Sequence, residues 1–439
     1  MIFIALLIVF SMTMTSCEVN SSYENFVNAN SIAQENRTTT SGTAASPQTS
    51  GTTGSTASEP SVEPTPSQTT PSNPVNQPTS NGTTSNTLTT EVGGVESPDV
   101  SDAAALGLRS IVSIYASNGV GSVSGGSGVI YRIDAATGSA FVITNYHVVS
   151  SSNTICNQIQ LFLYGLEYSD YAIDATYVGG SANYDLAILY VKNSDVLKNA
   201  IASGAVTAAT IADSEKVVAG QGVVAIGNPN SDGISVTTGV VSVDSEYITM
   251  SATTGVSQVQ FRVIRIDAAV NFGNSGGGLF NTKGELIGIV NAKVNSTTVE
   301  NIGYAIPSNV ARAISDNIID YCFGKDCKVV MRAMLGIEIT TLSVSTAYDA
   351  ETGTMRVTQE IGVHSITAGG LGDGILKVDD VLKSVSLNGR KTVITRQHQV
   401  IDTLLDARVG DTVSFEVLRG GATTTVSTTI TESCLTEYQ

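Results

Sequence analysis

From about residue 105 the chain is built of short runs rich in Val and Ile, and these runs limit its possible folds more than any other feature. They extend from RSIVSIYA and SGVIYRI to VIRIDAAV and GELIGIVNAKV, with Gly, Asn, Asp or Ser between them. Such runs are typical of β-strands separated by turns. No helical period of ten or more residues occurs in this region before SNVARAISDNIIDYC. That segment predicts a helix near 308–321, which would close the first domain. The pattern predicts an all-β barrel or sandwich.

A second unit follows Lys328. Its strand-like runs include AMLGIEITTL, TMRVTQEI and DTVSFEVLRGG, and TRQHQVIDTLLDA lies among them. In that last segment Val400, Ile401, Leu404 and Leu405 recur at helical spacing. Five or so strands and one helix predict a small α+β domain.

The first 100 of the 439 residues have a different composition. Eight of the ten prolines lie between Pro47 and Pro98, among Ser, Thr, Gly, Asn and Gln. Residues 18–100 are therefore predicted to form a disordered, extended stalk. The apolar start, residues 1–17, suits a signal peptide and ends in MTSC, which resembles a bacterial lipobox with Cys17 as the lipidated residue. An ordinary signal peptide or an uncleaved anchor remains an alternative, but export is expected on any of these interpretations.

Charge and cysteine content narrow the function further. The net charge of −17 makes nucleic-acid binding unexpected, because an acidic surface repels phosphate backbones. In an exported chain disulfides persist, and CFGKDC could close a small loop through Cys322 and Cys327. No His lies near these cysteines in sequence, so a zinc site is disfavoured, and no metal or cofactor is expected. The pairing of Cys156 and Cys434 stays open.

The segment NFGNSGGGLF, residues 271–280, places one serine among four glycines. A serine hydroxyl needs a base to become a nucleophile, and the base needs an acid to orient it. Of three histidines, His147 ends an apolar strand, and Asp185 opens another. Gly273 and Ser275 are spaced to aim two backbone N–H groups at an oxyanion. Each residue alone also has an ordinary structural explanation.

Taken together, TNYHVV, DLAIL and GNSGG in this order resemble the chymotrypsin-fold serine proteases of the HtrA (DegP/DegS-like) family. GSGVI, AIGNP, TTGVVS and GYAIPSN fall in the family's order, and the second unit resembles the PDZ domain that follows HtrA proteases. The resemblance covers roughly residues 100–430. It implies a mainly β fold with a double β-barrel. The expected organisation is a signal peptide at 1–17, a stalk at 18–100, a protease domain at 101–325 and a PDZ domain at 326–434.

The resemblance also implies the site. His147 would be the general base, Asp185 its orienting acid and Ser275 the nucleophile, with the N–H groups of Gly273 and Ser275, and Asn274 nearby, forming the oxyanion hole. The S1 pocket would be formed at Ala269 and Val270. With no carboxylate there, it would prefer Val or Ala at P1.

The same resemblance implies partners. Unfolded or misfolded proteins would be substrates, and the PDZ domain would capture C-terminal peptides through Leu335, Gly336, Ile337 and His398. A homotrimer is implied as well, although the region at 88–108 lacks the aromatic residues through which family trimers usually pack. The expected protein is an extracytoplasmic serine endopeptidase, lipid-anchored to the cell membrane. The alternative is a catalytically weak chaperone or PDZ scaffold.

Two residues depart from the family pattern. Phe272 stands where Pro or Arg is usual, and Gly278 where Pro is usual. Since proline fixes φ and glycine frees it, the loop after the serine is expected to be looser here. The segment between Ile130 and Phe141 is also too short for the long inhibitory loop of some relatives.

Overall fold

The computed structural model describes residues 100–119, 123–151, 154–166, 170–251, 258–291, 302–350 and 353–438. These residues belong to a single unit that contains Pro98–Gln439. The predicted signal peptide and stalk, with the lipidation site at Cys17, lie outside the described residues except for Val100. Val100, the last residue of the predicted stalk, is the first residue of a short helix.

The first part of the predicted protease domain is a closed barrel. Its strands are β1 (Ile111–Ser117), β2 (Val123–Asp134), β3 (Ser139–Thr144), β4 (Ser150–Ser151), β5 (Thr154–Ile155), β6 (Gln158–Leu163), β7 (Ile173–Ser181) and β8 (Leu186–Val191). Six of them close the barrel in the order β1-β2-β3-β8-β7-β6, and β4 and β5 form a small hairpin. All pairs in the barrel are antiparallel.

A second closed barrel follows. Its strands are β9 (Gly222–Gly227), β10 (Ser235–Ser251), β11 (Gln258–Ile266), β12 (Gly278–Asn281), β13 (Leu286–Val290) and β14 (Gly303–Pro307). They close in the order β10-β11-β14-β13-β12-β9. The two barrels confirm the predicted chymotrypsin-like architecture.

In the described part of the chain, three α-helices accompany the barrels: α1 (Val100–Leu108), α2 (Asp195–Ala202) and α3 (Ser308–Cys322). Only α3 was expected from the sequence. The other two have only nine and eight residues, and each buries few side chains, so they carry too little periodicity to be recognised. Helix α2 is fixed by its N-cap, where Ser194 Oγ accepts a hydrogen bond of 3.2 Å from Leu197 N. No helix in the described part of the chain has the length and apolarity needed to cross a membrane.

The position of α3 explains why β8 is apolar along nearly its whole length. Leu186 and Ile188 join the cluster that contains Ile314 of α3, whereas Leu189 faces the cluster inside the first barrel. A strand covered on both faces loses the alternation of apolar and polar residues. A disulfide joins Cys322 at the end of α3 to Cys327, as the spacing in CFGKDC predicts.

The C-terminal domain is α+β, as expected. It contains β15 (Val330–Ala333), β16 (Ile337–Asp349), β17 (Thr354–Ile366), β18 (Val381–Leu387), β19 (Arg390–Val393), α4 (His398–Leu405), β20 (Thr412–Arg419), β21 (Ala422–Thr429) and β22 (Leu435–Tyr438). A sheet of order β16-β17-β18-β20-β21 carries β19 beside β18, which leaves β16 at an edge. Strand β22 lies beyond the predicted domain end at 434 and pairs with β15.

Candidate active site

The first barrel places His147 beside Asp185. A 3₁₀ turn, Tyr146–Val148, follows β3 and carries the histidine, while Asp185 precedes β8 with a left-handed φ of 51°. His147 Nδ1 lies 2.6 Å from Asp185 Oδ2, and the backbone N–H of His147 donates to Oδ1 at 3.0 Å. Both oxygens of the Asp185 carboxylate therefore contact His147. With Nδ1 donating, Nε2 of the neutral ring is left as an acceptor, the form that a general base requires.

Two asparagines support this pair, and sequence reasoning missed both. Asn291 Nδ2 donates to Asp185 Oδ2 at 3.0 Å, and Asn145 Nδ2 donates to the Asp185 carbonyl at 2.8 Å. Both asparagines are fully buried. Their only signal in the sequence is a polar residue at the end of an apolar strand, which is too common to single out.

Ser275 lies in the segment Asn271–Gly277, here called the nucleophile loop, between β11 and β12. The backbone N–H of Ser127, in β2, donates to the Ser275 carbonyl at 2.8 Å. A Cβ on Gly126 would lie 3.2 Å from that carbonyl and 2.6 Å from a methyl of Val148, the neighbour of His147. Ser275 and the histidine turn thus flank one glycine, at the place where the two barrels meet.

Two carbonyl groups of the nucleophile loop accept hydrogen bonds from residues outside the loop. Asn230 N donates to the Phe272 carbonyl at 2.7 Å, and Ser127 Oγ donates to the Gly273 carbonyl at 2.7 Å. Because C=O and N–H of a trans peptide point in opposite directions, the Gly273 N–H points away from Asn230. The loop therefore turns the Gly273 N–H to its front, the side on which an oxyanion hole needs a donor.

Two glycines make this arrangement sterically possible. Gly273 has φ of 93°, and a Cβ there would lie 2.1 Å from the Asn228 carbonyl. Gly276 has φ of 83°, and a Cβ there would lie 2.2 Å from the Ser127 carbonyl. Asn274, the third residue predicted for the oxyanion hole, uses its N–H inside the loop, where it donates to the Asn271 carbonyl at 3.0 Å. The backbone of Asn274 therefore shapes the loop and does not face its front.

The expectation of a looser loop after the serine does not fit the structure. Gly278 begins β12 and pairs with Ile289 on one side and Ile226 on the other. A Cβ there would lie 2.4 Å from the ring of Phe280, so packing explains the glycine. Phe272 is 74% exposed and leaves the loop's hydrogen bonds intact.

The residues predicted for the S1 pocket are adjacent but differ in environment. Val270 is buried and lies next to Gly303, while Ala269 is exposed and its carbonyl accepts a hydrogen bond of 2.9 Å from Thr237 Oγ1. The nearby carboxylate of Asp267 is engaged by the backbone N–H of Val240 at 2.6 Å.

Of the residues predicted for a peptide groove, Leu335, Gly336 and Ile337 lie together at the start of β16. Leu335 is buried, and the Leu335 and Gly336 carbonyls accept from Gly372 N and Thr367 N, each at 2.7 Å. His398 is different, and this corrects its expected place in the groove. Its ring is buried, with Nε2 lying 3.0 Å from Glu215 Oε2 of the protease domain.

His398 belongs to a set of charged groups between the two domains, here called the interdomain seam. The seam comprises Glu215, Asp244 and Arg262 of the protease domain and Arg396, His398 and Asp402 of the C-terminal domain. Arg262 lies 3.0 Å from Glu215 and 2.5 Å from Asp402, and Arg396 lies 2.9 Å from Asp244. The sequence offered no signal for it, because its members are far apart along the chain.

Burial raises the pKa of Glu215, but hydrogen bonding to His398 and the charge of Arg262 outweigh it and lower that pKa to about 2. Burial raises the pKa of Asp402 against the opposing charge of Arg262. Ligand atoms of Glu215, His398 and Asp402 lie within 4.8 Å of one another. The guanidinium of Arg262 already bridges the two carboxylates, so this group is an ion-pair network.

Two closed barrels, with a His–Asp pair from the first and a glycine-rich serine loop from the second, define a trypsin-like serine peptidase. In agreement, residues 126–289 match the model of the trypsin-like peptidase domain.

Comparison with known proteins identifies the family. The chain is 30% identical over 385 residues to serine protease Do-like HtrA of Lactococcus lactis subsp. cremoris (strain MG1363), covering 79% of this chain and 87% of the relative. It is 33% identical over 313 residues to serine protease Do-like HtrB of Bacillus subtilis (strain 168), covering 70% of this chain but 62% of that relative, under two thirds of its length. A solved structure, the HtrA-type protease AlgW with tripeptide, aligns with a TM-score of 0.51 and 27% identity over 77% of this chain and 98% of that chain.

The chain therefore belongs to the HtrA family of serine proteases. It is an HtrA-type serine endopeptidase.

Proposed function

We propose that this endopeptidase works through an acyl-enzyme on Ser275. His147 Nε2 takes the proton from Ser275 Oγ as the oxygen attacks the substrate carbonyl, and the N–H groups of Gly273 and Ser275 stabilise the oxyanion. His147 then returns the proton to the leaving amine, and a water molecule hydrolyses the ester by the same route. The observation that carries this proposal is the 2.6 Å contact between His147 Nδ1 and Asp185 Oδ2, beside a serine loop held by its carbonyls.

Replacing the serine tests this assignment. Ser275→Ala should abolish casein cleavage while the fold is retained, because no other group in the loop can form the acyl bond. Casein hydrolysis at the wild-type rate would show that the nucleophile lies elsewhere. A fluorophosphonate probe should label the wild-type chain in a manner that requires His147. If no labelling occurs with any activating peptide, the chain is a chaperone or scaffold with little turnover.

For substrates, we propose unfolded or misfolded proteins that enter as extended segments with a small aliphatic P1 residue. The support is the apolar pair Ala269 and Val270, together with the engagement of Asp267 by Val240 N. A P1-varied peptide library should show Val or Ala cleaved faster than Lys or Arg. Faster cleavage after Lys would contradict the pocket assignment.

For the C-terminal domain, we propose a PDZ role in which a peptide C-terminus is bound near Leu335–Ile337 and pairs with the open edge of β16. His398 has no part in this groove while its ring contacts Glu215. Titration with a fluorescent peptide should show binding that is lost when its C-terminal carboxylate is amidated.

For localisation, we propose a lipid anchor at Cys17. Metabolic labelling with a fatty acid should mark the wild-type protein and not Cys17→Ser. The trimer implied by the family is tested by the molecular mass in solution.

A further inference from the structure

Ser127 is a fully buried residue of β2 whose hydroxyl joins two segments of the second barrel. Its Oγ accepts a hydrogen bond from Asn228 N at 2.8 Å and donates one to the Gly273 carbonyl at 2.7 Å. Its backbone N–H donates to the Ser275 carbonyl at 2.8 Å. One residue of the first barrel therefore holds the carbonyl groups on both sides of Asn274.

Hydrogen bonds to the neighbouring peptides determine the conformation of Gly273, because its missing side chain leaves φ and ψ unrestricted. Glycine has no Cβ to restrict φ and ψ, so the planes of its two flanking peptides must be fixed by their partners. The peptide after Gly273 is held at its carbonyl by Ser127 Oγ. The peptide before Gly273 is held at the Phe272 carbonyl by Asn230 N, at 2.7 Å.

Asn230 itself depends on Ser127. It lies in the turn Pro229–Ser231, where it has a left-handed φ of 54°. The residue that starts this turn is Asn228, whose N–H is bonded to Ser127 Oγ. The same hydroxyl thus helps to fix both peptide planes at Gly273, one directly, together with the Asn274 N–H, and one through the turn.

We propose that Ser127 is a positioning residue that keeps the Gly273 N–H directed at the oxyanion. This inference rests on the proposed role of Ser275 as nucleophile. Without the hydroxyl, the Gly273 carbonyl loses its partner and the turn at 228–231 loses the bond to Asn228 N, so the Gly273 N–H is held less firmly when the tetrahedral intermediate forms. Transition-state stabilisation then falls while ground-state binding of the substrate is kept, so kcat decreases and KM does not.

Ser113 provides a matched control. It lies directly across from Ser127 in the β1–β2 pair and is equally buried. Among the described residues, its hydroxyl has no hydrogen-bond partner. Ser113→Ala therefore removes a buried hydroxyl from the same place in the barrel without touching the nucleophile loop.

The test compares Ser127→Ala and Ser113→Ala in the full chain, with active sites titrated by a fluorophosphonate so that rates are given per competent site. Ser127→Ala should lower kcat on a short peptide substrate about 10- to 100-fold and leave KM within about threefold, somewhat less than the loss of an oxyanion donor itself. It should also weaken binding of a peptide aldehyde by a similar factor. Ser113→Ala should change each value less than about twofold.

Equal kcat per titrated site in Ser127→Ala and wild type, or equal losses in both variants, would overturn the proposal. If Ser127→Ala does not accumulate as folded protein, Ser127→Cys takes its place, since a thiol is a weaker donor and acceptor and should lower kcat to an intermediate value. Failure of the wild-type chain to react with the fluorophosphonate would instead count against Ser275 as nucleophile.

Discussion

The active site and the interdomain seam are both networks of polar contacts, but they are built from different chemistry. Around Ser275 the contacts are mostly neutral backbone hydrogen bonds within two closed barrels. Between the domains they are ion pairs, with Arg262 at their centre. Neutral hydrogen bonds inside a barrel are insensitive to salt and pH, whereas ion pairs depend on both. The difference suggests a rigid catalytic unit attached to a domain whose docking responds to its surroundings.

The largest effect should come from Asp185→Asn, which keeps the shape of the active site but removes the carboxylate that accepts from His147 Nδ1. The imidazole then loses the partner that fixes its tautomer and stabilises its charged form. We expect kcat to fall about 10⁴-fold, the loss seen for such a change in related triads. Steady-state kinetics on a peptide checks this, and small-angle scattering should show the domain arrangement unchanged. A loss below tenfold would mean that Asp185 does not orient the base.

Arg262→Met should weaken the docking of the two domains and leave catalysis nearly unchanged, the reverse of the effect of Asp185→Asn. It leaves Glu215 and Asp402 facing each other without their shared cation, which weakens domain docking by about 3 kcal/mol. Scattering should show a more extended particle, while cleavage of a short peptide per titrated site changes little. Arg356→Met is the control, since Arg356 pairs with Asp349 inside the C-terminal domain. Equal compactness of the two variants would contradict the importance of the seam.

Asn291→Ala should have an intermediate effect on catalysis. It removes one of three hydrogen bonds that the Asp185 carboxylate accepts and leaves the His147 contact in place. We expect kcat to fall about tenfold, in line with the loss of one charged hydrogen bond. Asn281→Ala, at the far end of β12, removes a comparable amide and should be near neutral. A pH–rate profile of the variant tests whether the loss acts through the His147–Asp185 pair.

The smallest effect should be that of acid on the seam. The pKa of Glu215 is about 2 in the folded chain against an ordinary 4.5. A lowered folded-state pKa contributes stability above about pH 4.5 that is lost as pH falls towards 2. Domain docking, followed by scattering, should therefore weaken across this window, and less steeply in Glu215→Gln. Identical pH dependence in the two proteins would remove Glu215 as the responsible group.

The sequence predicted site residues only where they carry local signals. His147, Asp185 and Ser275 stand at strand ends or among glycines, and the structure places them where the two barrels meet. The run of Val- and Ile-rich segments predicted the barrels because most of these segments form barrel strands that contribute side chains to the core. The C-terminal α+β domain followed from the same kind of pattern.

What the sequence could not supply depends on contacts between distant segments. Ser127 lies in β2 among glycines and Asn291 directly follows β13, and their partners are decided by how the strands close into barrels. His398 lies at the start of a helix, and this position favoured a role in the peptide groove. In the structure its ring instead contacts Glu215 of the other domain. Gly278 was expected to make the loop after the serine flexible. The structure explains the glycine by packing, because the Phe280 ring occupies the space that a side chain would need.

Because α4 contributes His398 and Asp402 to the seam, the C-terminal domain cannot be exchanged for that of another protein without affecting the contacts between the domains. Asp402 of that helix pairs with Arg262, and beside the seam Asp406, the residue that caps the helix, pairs with Arg312; both arginines belong to the protease domain. A chimera that carries the C-terminal domain of a relative would bring a different helix face to these two arginines. Grafting should therefore succeed only when both sides of the seam are transferred together, so the two domains form a matched pair and not interchangeable modules.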